Sequence, residues 1–208
     1  MQPFETLSVF FAASLLLGLT PGPDNLFVLA QAAQRGKMAG FVVTLGLSTG
    51  ILFHTLAVAL GAAALFSTSA LAFNSLKYVG AIYLLYLAYQ SWKASGRSVQ
   101  QSGASVLSMK RLYGRGVVMN ITNPKVSIFF LAFMPQFTDP AFGPVLPQFL
   151  FLGILFVIST LLVFGAICFL AGWIGVLLRS SERPKRILNR TAGIVFLTLA
   201  VKLAFTER

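Results

Sequence analysis

Long apolar runs separated by short polar connections dominate the hydropathy pattern of the chain. A helix needs roughly 20 apolar residues to cross the hydrocarbon core of a bilayer. Six runs meet this requirement, at about residues 4–30, 39–66, 70–92, 114–137, 147–178 and 187–206. The pattern therefore predicts an all-α integral membrane protein with six transmembrane helices. Glu5, with no Lys or Arg before it, argues against a cleaved signal peptide, so we expect the first run to be retained.

The composition indicates an exterior solvated by lipid. The 208 residues are 57% hydrophobic and 10% charged, whereas a soluble domain carries roughly 25% charged residues. The net charge of +11 does not indicate nucleic-acid binding, because the basic residues lie in the connections between apolar runs. Cys168 is the one cysteine, which excludes a disulfide or a thiol pair within the chain. We expect no metal and no cofactor.

The basic connections alternate with non-basic ones, and this alternation predicts the orientation. Connections 1–2, 3–4 and 5–6 are basic, whereas connections 2–3 and 4–5 carry almost no basic residue apart from Lys77. The positive-inside rule places basic connections in the cytoplasm, so both termini are expected outside. The Arg- and Lys-rich connection 5–6 is expected to set this topology and to contact anionic lipid head groups.

A polar connection divides the single transporter domain, residues 1–208, into two halves. Repeat one covers about residues 1–93, a cytoplasmic linker about 94–113, and repeat two about 114–208. Each half holds three helices, an odd number, so the second half is inserted upside down relative to the first. Each half also begins with a proline-interrupted helix. Two inverted three-helix repeats with broken first and fourth helices are typical of secondary transporters.

The first break reads Thr20-Pro21-Gly22-Pro23-Asp24-Asn25. It lies 10–15 residues before Arg35, or roughly 15–22 Å along a helix, which places it near the bilayer centre. Two prolines lack the N–H that a helix interior needs, so the helix unwinds here and restarts at Pro23. Unwound backbone at this depth lines a cavity or is buried in protein.

The second break reads Thr122-Asn123-Pro124-Lys125. Asn123 is a favourable N-cap and Pro124 a favourable first residue, so a half-helix is predicted to begin here. Lys125 then lies in the first turn, where the helix dipole disfavours a cation. Burial at membrane depth costs a further ~2.5–3.5 kcal/mol on insertion scales. Lys125 therefore requires an anionic partner, and Asp24 is the acidic residue well inside the membrane.

Two interpretations of these charges stay open. Asp24 and Lys125 either form a structural pair that joins the repeats, or bind the two charged groups of a zwitterion such as a free amino acid. His54 likewise has two interpretations. Its imidazole titrates near neutral pH and could carry protons, or it bonds a neighbouring carbonyl. Gly46 and Gly50, four residues apart, favour close helix packing.

Four segments together resemble the lysine exporter (LysE/RhtB) superfamily over essentially the whole chain, with the homoserine/threonine exporter branch the most similar. They are Leu19-Thr20-Pro21-Gly22-Pro23-Asp24-Asn25, the stretch from Gly46 to His54, Asn120-Ile121-Thr122-Asn123-Pro124-Lys125, and Phe133-Met134-Pro135-Gln136-Phe137. The ordered set is more specific than any one motif. The resemblance implies a bacterial inner-membrane exporter of amino acids that is driven by the proton motive force.

The resemblance and the two breaks together define the expected site. The candidate substrate-binding residues are Thr20, Pro21, Gly22, Pro23, Asp24, Asn25, Asn120, Thr122, Asn123, Pro124 and Lys125. Asp24 and His54 are the candidates for proton coupling. We expect alternating access around this midplane site, with an amino acid and protons as partners and a homodimer permitted by small-residue faces. A non-transporting scaffold or a small-solute channel remains the alternative, and no arrangement of residues indicates an enzyme.

Overall fold

A computed structural model of the chain describes residues 3–68, 70–93, 107–180 and 182–205. This part of the chain is helical and contains no strand, as predicted. Its α-helices are α1 (Phe4–Leu19), α2 (Pro23–Arg35), α3 (Lys37–Thr68), α4 (Ala70–Lys93), α5 (Met109–Ile121), α6 (Pro124–Ile128), α7 (Val145–Ser180) and α8 (Glu182–Phe205). After α6 the chain forms a π-helical turn and two 3₁₀ turns, at Phe129–Phe133, Met134–Phe137 and Pro140–Phe142.

The first and fourth predicted helices are broken, as the prolines indicate. α1 and α2 meet at an angle of 63°, and α5 meets the segment Pro124–Phe137 at 48°. Among the described residues, α3 and α7 are each long and apolar enough to cross a membrane. The two bent pairs also meet this criterion when each is taken as one span, which gives four spans. α4 and α8 correspond to the third and sixth predicted helices.

The predicted linker at 94–113 lies outside the described residues up to residue 106. Its last part is already helical, because α5 begins at Met109. Ser108 caps this helix, its hydroxyl accepting a hydrogen bond of 3.4 Å from the backbone N–H of Arg111. Ser108 is a residue type that satisfies an otherwise unpaired N–H at a helix start.

α3 lies at the centre of the bundle and crosses α5 at very short range. A Cβ placed on Gly46 would lie 2.2 Å from the Tyr113 carbonyl oxygen, and one on Gly116 would lie 2.5 Å from the Val43 oxygen. A Cβ on Gly50 would meet the Asn120 side chain at 2.6 Å. The packing role predicted for Gly46 and Gly50 is therefore confirmed. Gly46 packs against Tyr113, and the later Gly50 packs against the later Asn120, so α3 and α5 run parallel.

The remaining helices pair in a regular way. Gly40 of α3 packs against Cys168 of α7, and Gly153, earlier in α7, packs against Thr55, later in α3, so these two helices are antiparallel. α4 and α8 are also antiparallel, because Gly80 lies near Leu203 and Gly193 lies near Trp92. The broken pair α1–α2 lies alongside α7 and runs in the same direction. Gly18 packs against Val163, and Ala32 lies close to the Gly40–Cys168 contact.

Two apolar clusters fill the bundle and meet at its middle. One is rich in phenylalanine, with the rings of Phe129 and Phe156 5.3 Å apart and those of Phe10 and Phe137 5.2 Å apart. The other surrounds Val43 and Cys168, between α2, α3 and α7. Polar side chains from both helix breaks lie where the two clusters meet.

Candidate functional site

The first break exposes backbone carbonyls inside the protein. Thr20 ends α1 with its N–H still bonded to the Leu16 carbonyl at 3.0 Å, and its ψ of 123° then turns the chain out of the helix. Gly22 is fully extended, and Pro23 begins α2 as predicted. Asn25 bridges the gap, because its side-chain N–H donates to the Gly18 carbonyl at 2.6 Å. The carbonyl groups in the last turn of α1 are therefore available to hydrogen-bond donors outside this helix.

The second break is capped as the sequence predicts. The Asn123 side-chain oxygen accepts a hydrogen bond of 3.0 Å from the backbone N–H of Lys125, which fixes the start of α6. The Thr122 hydroxyl donates to the Val118 carbonyl of its own helix at 2.8 Å. With its oxygen used for the cap, the Asn123 side chain still has two N–H donors, and these are directed toward the first break.

Side chains of the second break bond directly to the first. The Asn123 amide donates to Asp24 Oδ2 at 2.6 Å. The Lys125 ammonium donates to the carbonyls of Thr20 at 3.2 Å and Leu17 at 3.3 Å. Asp24, Asn123 and Lys125 are only 3%, 4% and 8% exposed. The two breaks, about 100 residues apart in sequence, form one buried polar centre.

Helix ends explain how these charges are tolerated. Lys125 faces the C-terminal end of α1, where carbonyl groups carry partial negative charge, and Asp24 lies in the first turn of α2, where N–H groups carry partial positive charge. The carbonyls thus stabilise Lys125 in the way expected of an anionic partner. Asp24 and Lys125 attract each other electrostatically, and the structure shows no direct hydrogen bond between these two side chains.

A small cavity lies beside this centre. Its volume is about 20 Å³, which accommodates about one water molecule. The wall comprises Leu17, Gly18, Asp24, Leu47, Ile51, Asn120, Lys125, Val126, Phe156, Thr160 and Phe164. The contributions of α3 and α7 to this wall were not predicted, because uniform apolar runs do not reveal which helix face points inward.

Two acceptor atoms in the cavity wall have no hydrogen-bond partner among the described residues. They are Asp24 Oδ1 and Asn120 Oδ1, both buried. Asn120 is held in place from behind, where its side chain packs on Gly50 and its carbonyl oxygen lies 3.2 Å from His54 Nε2. Buried acceptors without partners are costly, which makes them markers of a site that binds a hydrogen-bond donor.

The other predicted site residues have different positions. Pro23, Thr122 and Pro124 are exposed, whereas Pro21 and Gly22 are half-buried, with Gly22 close to the Lys125 ammonium. These five residues shape the breaks and do not line the cavity. Thr20 and Asn25 are buried and act through the bonds already described.

His54 lies behind the wall of the cavity. It is half-buried, with its ring centroid 5.6 Å from that of Phe130, and it reaches the polar centre only through the Asn120 carbonyl. The interpretation of His54 as a side chain bonded to a neighbouring carbonyl matches this geometry.

The chain is similar to known proteins over nearly its whole length. A family model described as LysE type translocator matches residues 15–207. The chain is 33% identical to a homoserine/homoserine lactone efflux protein of Salmonella typhimurium, over 97% of each chain. It is 32% identical to an uncharacterized membrane protein of Vibrio cholerae over 94% of each chain. It is also 26% identical to a leucine efflux protein of Salmonella choleraesuis, over 94% of this chain and 92% of the relative. No solved structure matches.

Proposed function

Because the chain belongs to the LysE family of translocators, we propose that it is a secondary active exporter of free amino acids across the bacterial inner membrane. Membership also makes it a transporter and not an enzyme. Its substrate is of the threonine/homoserine type or another neutral amino acid. Two relatives are named for efflux of homoserine and of leucine, and both of these amino acids are neutral.

We propose that the six helices form two inverted repeats. Two packing relations support this. α3 of the first half runs parallel to α5, in the broken helix of the second half, and α7 of the second half runs parallel to α1–α2, the broken helix of the first half. The pairs α3–α7 and α4–α8, which the repeats would exchange, are both antiparallel. A two-fold axis in the membrane plane requires this relation of equivalent pairs.

We propose that the basic ends of the helices face the cytoplasm and that both termini lie in the periplasm. Lys37, before α3, lies 5.1 Å from the Phe169 ring near the end of α7, and Arg115, near the start of α5, lies 4.7 Å from the Phe27 ring of α2. These ends therefore share one side of the bundle. A C-terminal reporter that is active only in the periplasm should report activity, and one active only in the cytoplasm should not.

The buried polar centre at the two breaks carries the proposal. Asp24 Oδ1 and Asn120 Oδ1 offer free acceptors to the substrate ammonium. Lys125, which now donates to two backbone carbonyls, is the cation available to the substrate carboxylate. A charge-assisted bond to a carboxylate is stronger than a bond to a neutral carbonyl. Substrate would therefore draw Lys125 away from α1 and loosen one contact between the halves.

This arrangement supports the proposal of alternating access and proton coupling. A cavity of about 20 Å³ is too small for an amino acid, so the halves have to move apart to admit one. We assign proton coupling to Asp24, because its carboxylate lines the cavity, whereas His54 does not. Protonation of Asp24 would weaken its hold on the substrate ammonium and favour release to the periplasm.

The proposal is tested by efflux from proteoliposomes that contain the purified full chain. We expect saturable efflux of a neutral amino acid that increases when a proton gradient is imposed. Lys125→Met should abolish it, while Lys110→Met, which removes an exposed lysine, should not. Wild-type-like efflux by the Lys125 variant would reject the site, and efflux that does not saturate would favour a channel.

A further inference from the structure

The cavity wall has a polar side and a nearly apolar side. Asp24, Asn120 and Lys125 form the polar side, which under the proposed function binds the ammonium and carboxylate of the substrate. The part of the wall that comes from α3 and α7 comprises Leu47, Ile51, Phe156, Thr160 and Phe164. This second wall carries no charge, and Thr160 is its one polar side chain. It is the surface that the side chain of a bound amino acid would face.

Thr160 differs from most other helical threonines in how its hydroxyl is used. Seven of them donate to the carbonyl four residues earlier, namely Thr20, Thr44, Thr49, Thr55, Thr122, Thr191 and Thr198. The corresponding carbonyl for Thr160 belongs to Phe156, and it accepts instead from the Ser159 hydroxyl at 2.8 Å. Within the described residues, the Thr160 hydroxyl makes no hydrogen bond.

A free hydroxyl at this position requires a reason. Thr160 is 4% exposed and lines the cavity, and a hydroxyl without a hydrogen-bond partner beside apolar side chains is unfavourable. The Ser159 bond keeps the hydroxyl available, because it occupies the acceptor that a helical threonine ordinarily uses. An unpaired hydroxyl on an apolar wall suits a ligand that carries one polar group among apolar atoms.

We propose that Thr160 is the residue that selects for a hydroxyl on the substrate side chain, and that the surrounding wall excludes charged side chains. This inference rests on the proposed function and names its substrate class. The substrate is a small amino acid with a hydroxylated, uncharged side chain. Lysine and arginine are excluded, because their charge would meet Leu47, Ile51 and the two phenylalanines with no anion to pair with.

The test compares amino acids that differ only by exchange of a hydroxyl for a methyl group. Proteoliposomes with the full chain are loaded with threonine or valine, or with homoserine or norvaline, and efflux is measured over a range of concentrations. Wild type should prefer the hydroxylated member of each pair by about three- to tenfold in kcat/KM, the effect of one hydrogen bond. It should export neither lysine nor arginine.

Three variants isolate the role of the hydroxyl. Thr160→Val should bring each ratio close to one while valine and norvaline efflux continues, and Thr160→Ser should restore the preference. Thr198→Val is the matched control, because that exposed hydroxyl bonds within its own helix, and it should leave the ratios unchanged.

The outcomes separate the two proposals. Neutral amino-acid efflux with ratios that Thr160→Val does not alter would overturn the role of Thr160 and leave the proposed function standing. Export of lysine comparable to that of threonine would overturn the proposal that the wall excludes charged side chains. Absence of saturable amino-acid efflux in wild type would instead contradict the proposed function itself.

Discussion

Asn123 connects the two helix breaks, and its replacement offers a quantitative test of that connection. In Asn123→Ala, α6 loses its N-cap, which costs about 1 kcal/mol. The Asp24 carboxylate also loses its 2.6 Å hydrogen bond, and bonds to charged groups contribute about 1.5–3 kcal/mol. The free energy of unfolding should therefore fall by about 2.5–4 kcal/mol, because both partners are buried.

Two further variants separate the cap from the cross-link. Serine at position 123 keeps a capping oxygen but is too short to bond Asp24 as well, so Asn123→Ser should lose about 1.5–3 kcal/mol. Ser108→Ala removes a cap from α5 at an exposed site remote from the cavity, and should lose about 1 kcal/mol or less.

The assay is reversible unfolding of the purified chain in mixed detergent micelles, with efflux measured on the same variants. Efflux by Asn123→Ala should be strongly reduced, because Asp24 is no longer held at the second break. The reasoning is refuted if Asn123→Ala and Ser108→Ala lose the same stability, since the bond to Asp24 would then contribute nothing.

The packing and coupling assignments give three more expectations. Gly46→Ala should lower the melting temperature of the detergent-solubilised protein by several degrees, because the added Cβ would lie 2.2 Å from a carbonyl oxygen of α5. Gly172→Ala, where no atom lies within 4 Å, should not, and equal melting temperatures would contradict the close crossing. His54→Gln should retain proton-driven efflux. Asp24→Asn should lose proton-driven efflux but still exchange substrate across the membrane without a gradient. The reverse pattern would assign proton coupling to His54. Thr122→Val should leave the KM unchanged, since its hydroxyl bonds its own helix, and a raised KM would place Thr122 in the site.

Local features of the fold could be predicted because they depend on residues next to each other. Proline, glycine and asparagine at the two breaks determine where α2 and α6 begin, and the structure confirms both positions. The π-helical turn Phe129–Phe133 could not be predicted, because it lies in a uniformly apolar segment. Its geometry arises from packing, with the Phe129 ring against Phe10 of α1 and the Phe130 ring against Phe156 of α7.

The polar centre could be predicted in composition but not in its bonds. Burial of Lys125 required a negative partner, and Asp24 was the apparent one. Asp24 does attract Lys125 electrostatically, but the hydrogen bonds of Lys125 go to backbone carbonyls that the break in α1 leaves free, and a sequence does not show where such carbonyls point. A hydroxyl within an apolar run, such as that of Thr160, is a weak indication of a binding residue. Whether its side chain faces the cavity depends on how α7 is rotated about its axis, which the sequence does not show.

The central claim, that the amino-acid site is the cavity at the two breaks, can be tested by substrate protection. Cys168 is the one cysteine, so Cys168→Ala with Val126→Cys places a single thiol in the cavity wall, and Cys168→Ala with Thr198→Cys places one on an exposed face. The measurement is the rate of thiol modification by a small methanethiosulfonate reagent, with and without saturating threonine or homoserine. We expect the amino acid to slow modification at position 126 several-fold and to leave position 198 unaffected. Equal rates at position 126 in a variant that still exports the amino acid would contradict the account.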